Sequence, residues 1–119
     1  MSDTELTYML IPARLGVASS VNQCSFAEGY NTMRTAVGGY IERVSLELAD
    51  MYINEDGKMH NLPANVRATW LAWHEQSIAP NDFIVGDAIL FGKADKYGNE
   101  TSITPELRTH IIKVLKGAA

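Results

Sequence analysis

Tyr40-Ile41-Glu42-Arg43-Val44-Ser45-Leu46-Glu47-Leu48 alternates in polarity, with Tyr40, Val44, Leu46 and Leu48 on one side and Arg43, Ser45 and Glu47 on the other. Successive side chains of a strand point to opposite faces, so the pattern is that of a half-buried strand. Ile41 falls on the polar side and Glu42 on the apolar side. A carboxylate on an apolar face must be paired, hydrogen-bonded or functional, because burying an unmatched charge is costly. Ala49-Asp50 then breaks the strand and Met51-Tyr52-Ile53 begins another. Asn54-Glu55-Asp56-Gly57 follows as a turn whose Asp-Gly pair accepts positive φ, and Lys58-Met59-His60 is expected to return as its hairpin partner.

Toward the N-terminus, Leu6 to Ala13 is short, apolar and closed by Pro12, which predicts a strand. Arg14 to Asn22, with Gly16 and Ser19-Ser20, reads as a turn. Ser25-Phe26-Ala27-Glu28 has capping-box spacing and starts a helix with Phe26, Tyr30, Met33 and Val37 on one face. Gly38-Gly39 ends that helix, since glycine accepts the left-handed cap conformation.

Toward the C-terminus, Leu62-Pro63 closes the hairpin and Asn65, or a residue beside it, caps a second helix, with Val66, Trp70, Trp73 and Ser77 on one face and Leu71 and Ile78 beside it. That helix must stop before Pro80, which disfavours helical backbone at Ala79. Phe83-Ile84-Val85 and Ala88-Ile89-Leu90-Phe91 flank Gly86-Asp87, as one bulged strand or two strands around a turn. Gly92 to Ser102 is polar, with Gly98 and Asn99, and reads as an exposed loop or the tip of a hairpin. Thr104-Pro105-Glu106 opens a last helix whose apolar face is Leu107, Ile111, Val114 and Leu115. The whole predicts one α+β domain over residues 1–119. It has a mostly antiparallel sheet of four to six strands and about three helices packed against it. One hydrophobic interior is expected to be shared by the Phe26, Trp70 and Ile111 helices and the sheet between them.

Bulk properties narrow the function classes. The chain has 119 residues, 46% hydrophobic and 20% charged, a globular balance. Fourteen acidic against ten basic residues give a net charge of -4. That argues against nucleic acid as a partner, because phosphate binding needs a clustered basic surface. It also disfavours an anionic membrane surface. A lone cysteine, Cys24, rules out an intrachain disulfide and CxxC sites, and no stretch approaches the ~20 apolar residues of a membrane span. The acidic start, Met1-Ser2-Asp3-Thr4-Glu5, does not read as a signal peptide, so a cytoplasmic protein is expected.

Few residues suggest chemistry. His60, His74 and His110 have no i,i+4 spacing, so neither a metal nor a cofactor is expected; the plainer reading places them near a hairpin and on helix surfaces. Cys24 lies just before a helix cap, where a thiol pKa can fall, but a buried inert cysteine is the commoner case. Trp70 and Trp73 read as core, with any excess forming an oligomer interface. Glu42 and Asp87 form a conceivable acid–base pair, with Asp87 otherwise a turn residue bonding its own backbone.

Val37-Gly38-Gly39-Tyr40-Ile41-Glu42, Asn54-Glu55-Asp56-Gly57-Lys58, Leu62-Pro63-Ala64-Asn65 with Ala68-Thr69, and Ile84-Val85-Gly86-Asp87 occur in that order. This ordered set resembles the DUF3846 family, an uncharacterised domain of phage and plasmid genomes, over about Val37 to Gly98. The Trp70 to Asn81 segment departs from the pattern in its tryptophan-rich helix. The resemblance carries no catalytic residues. It implies a small accessory protein of a mobile element, acting in the host cytoplasm by binding a host protein or small ligand, with counter-defence as one such role. Self-association through Trp70 and Trp73 is expected. The ligand site is expected at Glu42, Asn54, Asn65 and Arg67, facing one pocket, with Asp87 as a further candidate. The alternative for these polar groups is that each ties a loop to backbone. The other functional classes are a small enzyme using carboxylates as acid and base, and a structural or assembly protein.

Overall fold

The computed structural model describes residues 5–117. Five strands, β1 (Glu5–Ile11), β2 (Ser20–Ser25), β3 (Ile41–Ser45), β4 (Ala49–Asn54) and β5 (Ala88–Gly92), form one sheet in the order β2-β1-β5-β4-β3. Every neighbouring pair is antiparallel. Three helices, α1 (Gly29–Val37), α2 (Val66–His74) and α3 (Pro105–Lys116), complete the α+β fold. Among the described residues no helix is long and apolar enough to cross a membrane.

The helix boundaries follow their capping chemistry. Ser25 Oγ accepts from Glu28 N at 3.2 Å, ahead of a single 3-10 turn (Phe26–Glu28) that leads into α1. Gly38 closes α1 at φ 77°, its N–H bonded to Arg34 O. Asn65 Oδ1 accepts from Ala68 N at 3.0 Å, and Thr104 Oγ1 accepts from Leu107 N at 3.2 Å with Pro105 at the first position of α3. Each side-chain oxygen serves an amide that the first helical turn leaves without a partner.

The sheet separates two interiors instead of enclosing one. Leu6, Met33, Val37, Tyr52, Ile89 and Phe91 pack beneath α1. On the opposite face, Met9, Ile11, Met51, Leu90, Leu71 and Ile111 pack with α2 and α3. Alternation along β1, β4 and β5 sends neighbouring residues to opposite clusters, so those central strands are apolar on both sides. Phe26 and Tyr30 stay exposed, and Gly29, Met33 and Val37 make the buried face of α1. In α2 the buried face is Ala68, Thr69, Leu71 and Ala72, with Val66, Trp70 and Trp73 outside it.

Four local assignments differ from the sequence reading. The break expected at Ala49-Asp50 falls at 46–48: β3 stops at Ser45, Leu46 N donates to Ala49 O in a turn, Ala49 and Asp50 begin β4, and Tyr40 and Leu48, expected on the buried side, are exposed. Ser20 to Asn22, read as the end of a turn, belong to the strand Ser20–Ser25, six residues in register with β1. It is a polar edge strand, so no apolar face marks it. Lys58 to His60 does not return as a strand: His60 N donates to Asp56 O and Leu62 N to Gly57 O, so local turns take those amides. Of Phe83–Val85, only Val85 pairs, in a single bridge with Ala64.

β4 also buries a charge. Asp50 is 1% exposed. Its carboxylate accepts from Lys93 Nζ at 3.1 Å and from Ala94 N at 3.0 Å, with Arg43 at 3.9 Å. Lys93 donates in addition to Ser45 Oγ and to Leu46 O. The group binds the chain after β5 to the β3–β4 connection.

Candidate binding cleft

The turn after β4 and the segment Ile78–Val85 face each other across a cleft of about 270 Å³. Val44, Ile53, Ile84 and Val85 contribute buried apolar surface to it. Gly57 lets the turn approach this floor: a Cβ there would lie 2.7 Å from Val85 Cγ2. Asn54 holds the turn in place, its Oδ1 accepting from Asp56 N at 2.8 Å and its Nδ2 donating to Val37 O at 3.0 Å. The opposite wall is held by Trp73, whose Nε1 donates to Asp82 O at 2.9 Å.

The polar lining is acidic. Glu42, Glu55, Asp56 and Asp82 stand against one cation, Lys58. Lys58 bridges the two walls: it pairs with the Asp82 carboxylate and lies 4.7 Å from the Phe83 ring centroid. The Lys58 hydrogen bond, followed by one from Phe83 N, holds the Asp82 carboxyl below its ordinary range. With Lys58 engaged by Asp82, Glu42, Glu55 and Asp56 remain to attract a cation.

Of the residues singled out from sequence, Glu42 and Asn54 line this cleft; Asn65, Arg67 and Asp87 do not. The four-residue pocket expected at Glu42, Asn54, Asn65 and Arg67 is therefore not assembled. Asn65 is fully buried, and its Nδ2 donates to Ile11 O at 2.7 Å and to Gly86 O at 2.9 Å. Asp87 Oδ1 accepts from Ala13 N at 2.9 Å. Arg67 donates to Pro12 O and Val17 O, each at 2.7 Å, and to Arg14 O at 3.2 Å. These three side chains tie the β1–β2 and Pro63–Asp87 connections to backbone. Trp70 and Trp73 are 40% and 42% exposed on α2. Cys24 is half-buried in β2.

Lys58, Asp82 and Phe83 are the cleft residues that sequence reasoning missed as a group. Lys58 was expected in a strand, and Asp82 is 24 positions away, reached only after the chain has passed through α2. The acidic run Glu55-Asp56 beside a glycine was the available signal.

Replacing Arg67 with Ala is expected to cost about 2 kcal/mol, since charge-assisted bonds to three carbonyls disappear together. Urea unfolding measures the loss, and faster amide exchange over residues 13–19 locates it.

The sequence pattern of the family described as "Domain of unknown function (DUF3846)" matches residues 11–116. The match takes in the whole cleft and both connections described above. No curated protein and no solved structure matches the chain.

Proposed function

We propose that this chain, which belongs to the DUF3846 family, is a small non-catalytic binding protein whose cleft receives a cationic group of its partner. The observation that carries the reading is the acidic lining over an apolar floor, with Lys58 already taken up by Asp82. Such a site suits a lysine or arginine side chain: the carboxylates take the charged head and Val44, Ile53 and Val85 take the aliphatic stem. Exposed Phe83 and Met59 at the cleft add apolar surface for a protein partner. In this reading the partner is a host protein or a small cationic ligand. The setting is that of an accessory protein of a phage or related mobile element in the host cytoplasm, with counter-defence as the role. The half-exposed Trp70 and Trp73 support self-association through α2.

Titration with a tri-arginine peptide at low salt, followed by amide chemical shifts, tests the reading. Shifts are expected at Glu42, Asn54 to Met59 and Asp82 to Val85. Glu42→Lys combined with Asp56→Lys should weaken binding at least about tenfold, the equivalent of 1.4 kcal/mol. Equal shifts with a tri-glutamate peptide, or shifts confined to other surfaces, would overturn it.

The pH dependence has a definite sign. The folded-state pKa of Asp82 lies below its ordinary 3.8. Its pairing with Lys58 is therefore fully present above 3.8 and lost as pH falls through the lower folded value. Loss of the Asp82 charge leaves the Lys58 ammonium unneutralised in the cleft, so affinity for a cationic peptide should hold at neutral pH and fall as Asp82 protonates. Asp82 should protonate at lower pH than an unpaired aspartate, as carboxyl NMR shifts would record.

A further inference from the structure

The C-terminal end of α2 meets α3 at a group of residues far apart in sequence. His74 ends α2, Glu75 follows it, and His110 comes from α3. One potential ligand atom from each lies within 4.8 Å of the other two. His110 Nε2 is 3.6 Å from Glu75 Oε2. The His74 and His110 rings, with centroids 6.3 Å apart, are tilted by 50° and not stacked. Glu75 Oε1 accepts from Glu47 N at 3.3 Å, which orients the carboxylate and leaves Oε2 on the His110 side.

We propose that His74, Glu75 and His110 are the three protein ligands of a zinc-class divalent cation. Two imidazoles and a carboxylate are a borderline donor set, which suits Zn²⁺ and not the hard cations that require all-oxygen shells. Three protein ligands leave the fourth tetrahedral position to water. The backbone bond to Glu75 Oε1 acts as the outer-shell contact that fixes a ligating carboxylate. The end of α2 also presents carbonyl oxygens, whose dipole favours a cation. Ligand atoms about 2.1 Å from one zinc ion must draw together by roughly 1 Å from the observed spacing. Glu75, 9% exposed and held by Glu47 N, stays in place, and the more open His74 and His110 side chains have the rotamer freedom to close on it. The ion ties the end of α2 to α3, which pack against each other there. His110 also lines a cavity of about 400 Å³ with Leu48, Lys93, Thr101, Ser102 and Leu107, so the metal sits beside an open space.

Calorimetric titration of the full chain with zinc chloride, with cobalt absorption as a second readout, tests this. One equivalent is expected to bind, with the visible spectrum of tetrahedral cobalt. His74→Gln and His110→Gln should each lower affinity at least about tenfold, as should Glu75→Gln, which keeps the shape and the bond to Glu47 N–H. His60→Gln, in the turn after β4, should leave affinity unchanged. Circular dichroism of each variant without metal establishes that it is folded. The absence of a one-equivalent isotherm would overturn the proposal. So would unchanged affinity in folded His74→Gln/His110→Gln protein, or an equal loss in His60→Gln.

Discussion

Asn65→Ala is expected to destabilise the fold by about 4 kcal/mol, among the largest effects of any single substitution in this chain. One side chain makes three buried bonds: it caps α2 through Ala68 N and links Ile11 O at the end of β1 to Gly86 O ahead of β5. Loss of the cap costs about 1 kcal/mol. The two carbonyls then lose their donor in a site closed to water, at about 1–3 kcal/mol each. Asn65→Ser separates the contributions, since a hydroxyl restores the cap without spanning both carbonyls. It should cost about 3 kcal/mol. Urea unfolding with unchanged m-values is the measurement. If the alanine variant lost under about 1.5 kcal/mol, Asn65 would be a cap and nothing more.

Lys93→Met should cost about 3 kcal/mol and Asp50→Asn clearly less, although each change removes one charge from the same pair. Without Lys93, the carboxylate at 1% exposure keeps, among the described residues, only Ala94 N as a hydrogen-bond donor, with Arg43 at 3.9 Å. A buried charge left without its counter-ion is strongly unfavourable. Without the Asp50 charge, Lys93 is 43% exposed and its ammonium can turn to water, so little charge is stranded. The order of the two variants in chemical denaturation is the diagnostic result. Equal losses would mean that Asp50 is solvated more fully than its burial implies.

The parts of the fold that were legible in the sequence are those set by local chemistry. The caps Ser25, Gly38, Asn65 and Thr104 act within a few residues, as does the Ile111–Val114–Leu115 face of α3; the alternation from Tyr40 to Leu48 marked a strand, but of its four apolar residues Val44 and Leu46 are buried and Tyr40 and Leu48 are not. The face of α2 was not legible, because bulk hydrophobicity points to Trp70 and Trp73. Close approach to the sheet instead selects Ala68, Thr69 and Ala72, and the indoles remain at the margin. β2 was hidden because an edge strand can be polar. Glu42 was read as a charge on an apolar face that would need a partner; it is instead exposed at the rim of the cleft, where water can solvate it. The Lys58–Asp82 bridge that completes the cleft depends on where the chain returns after α2, and no short-range pattern encodes that.

β5 lies between β1 and β4 and is the last of the strands in chain order. A ribosome that has released only the first eighty residues has produced two hairpins, β1–β2 and β3–β4, whose shared neighbour does not yet exist. Neither can be joined to the other until the wedge that separates them is made. The order of synthesis and the order of assembly therefore diverge, and the early pieces wait with two strand edges unpaired.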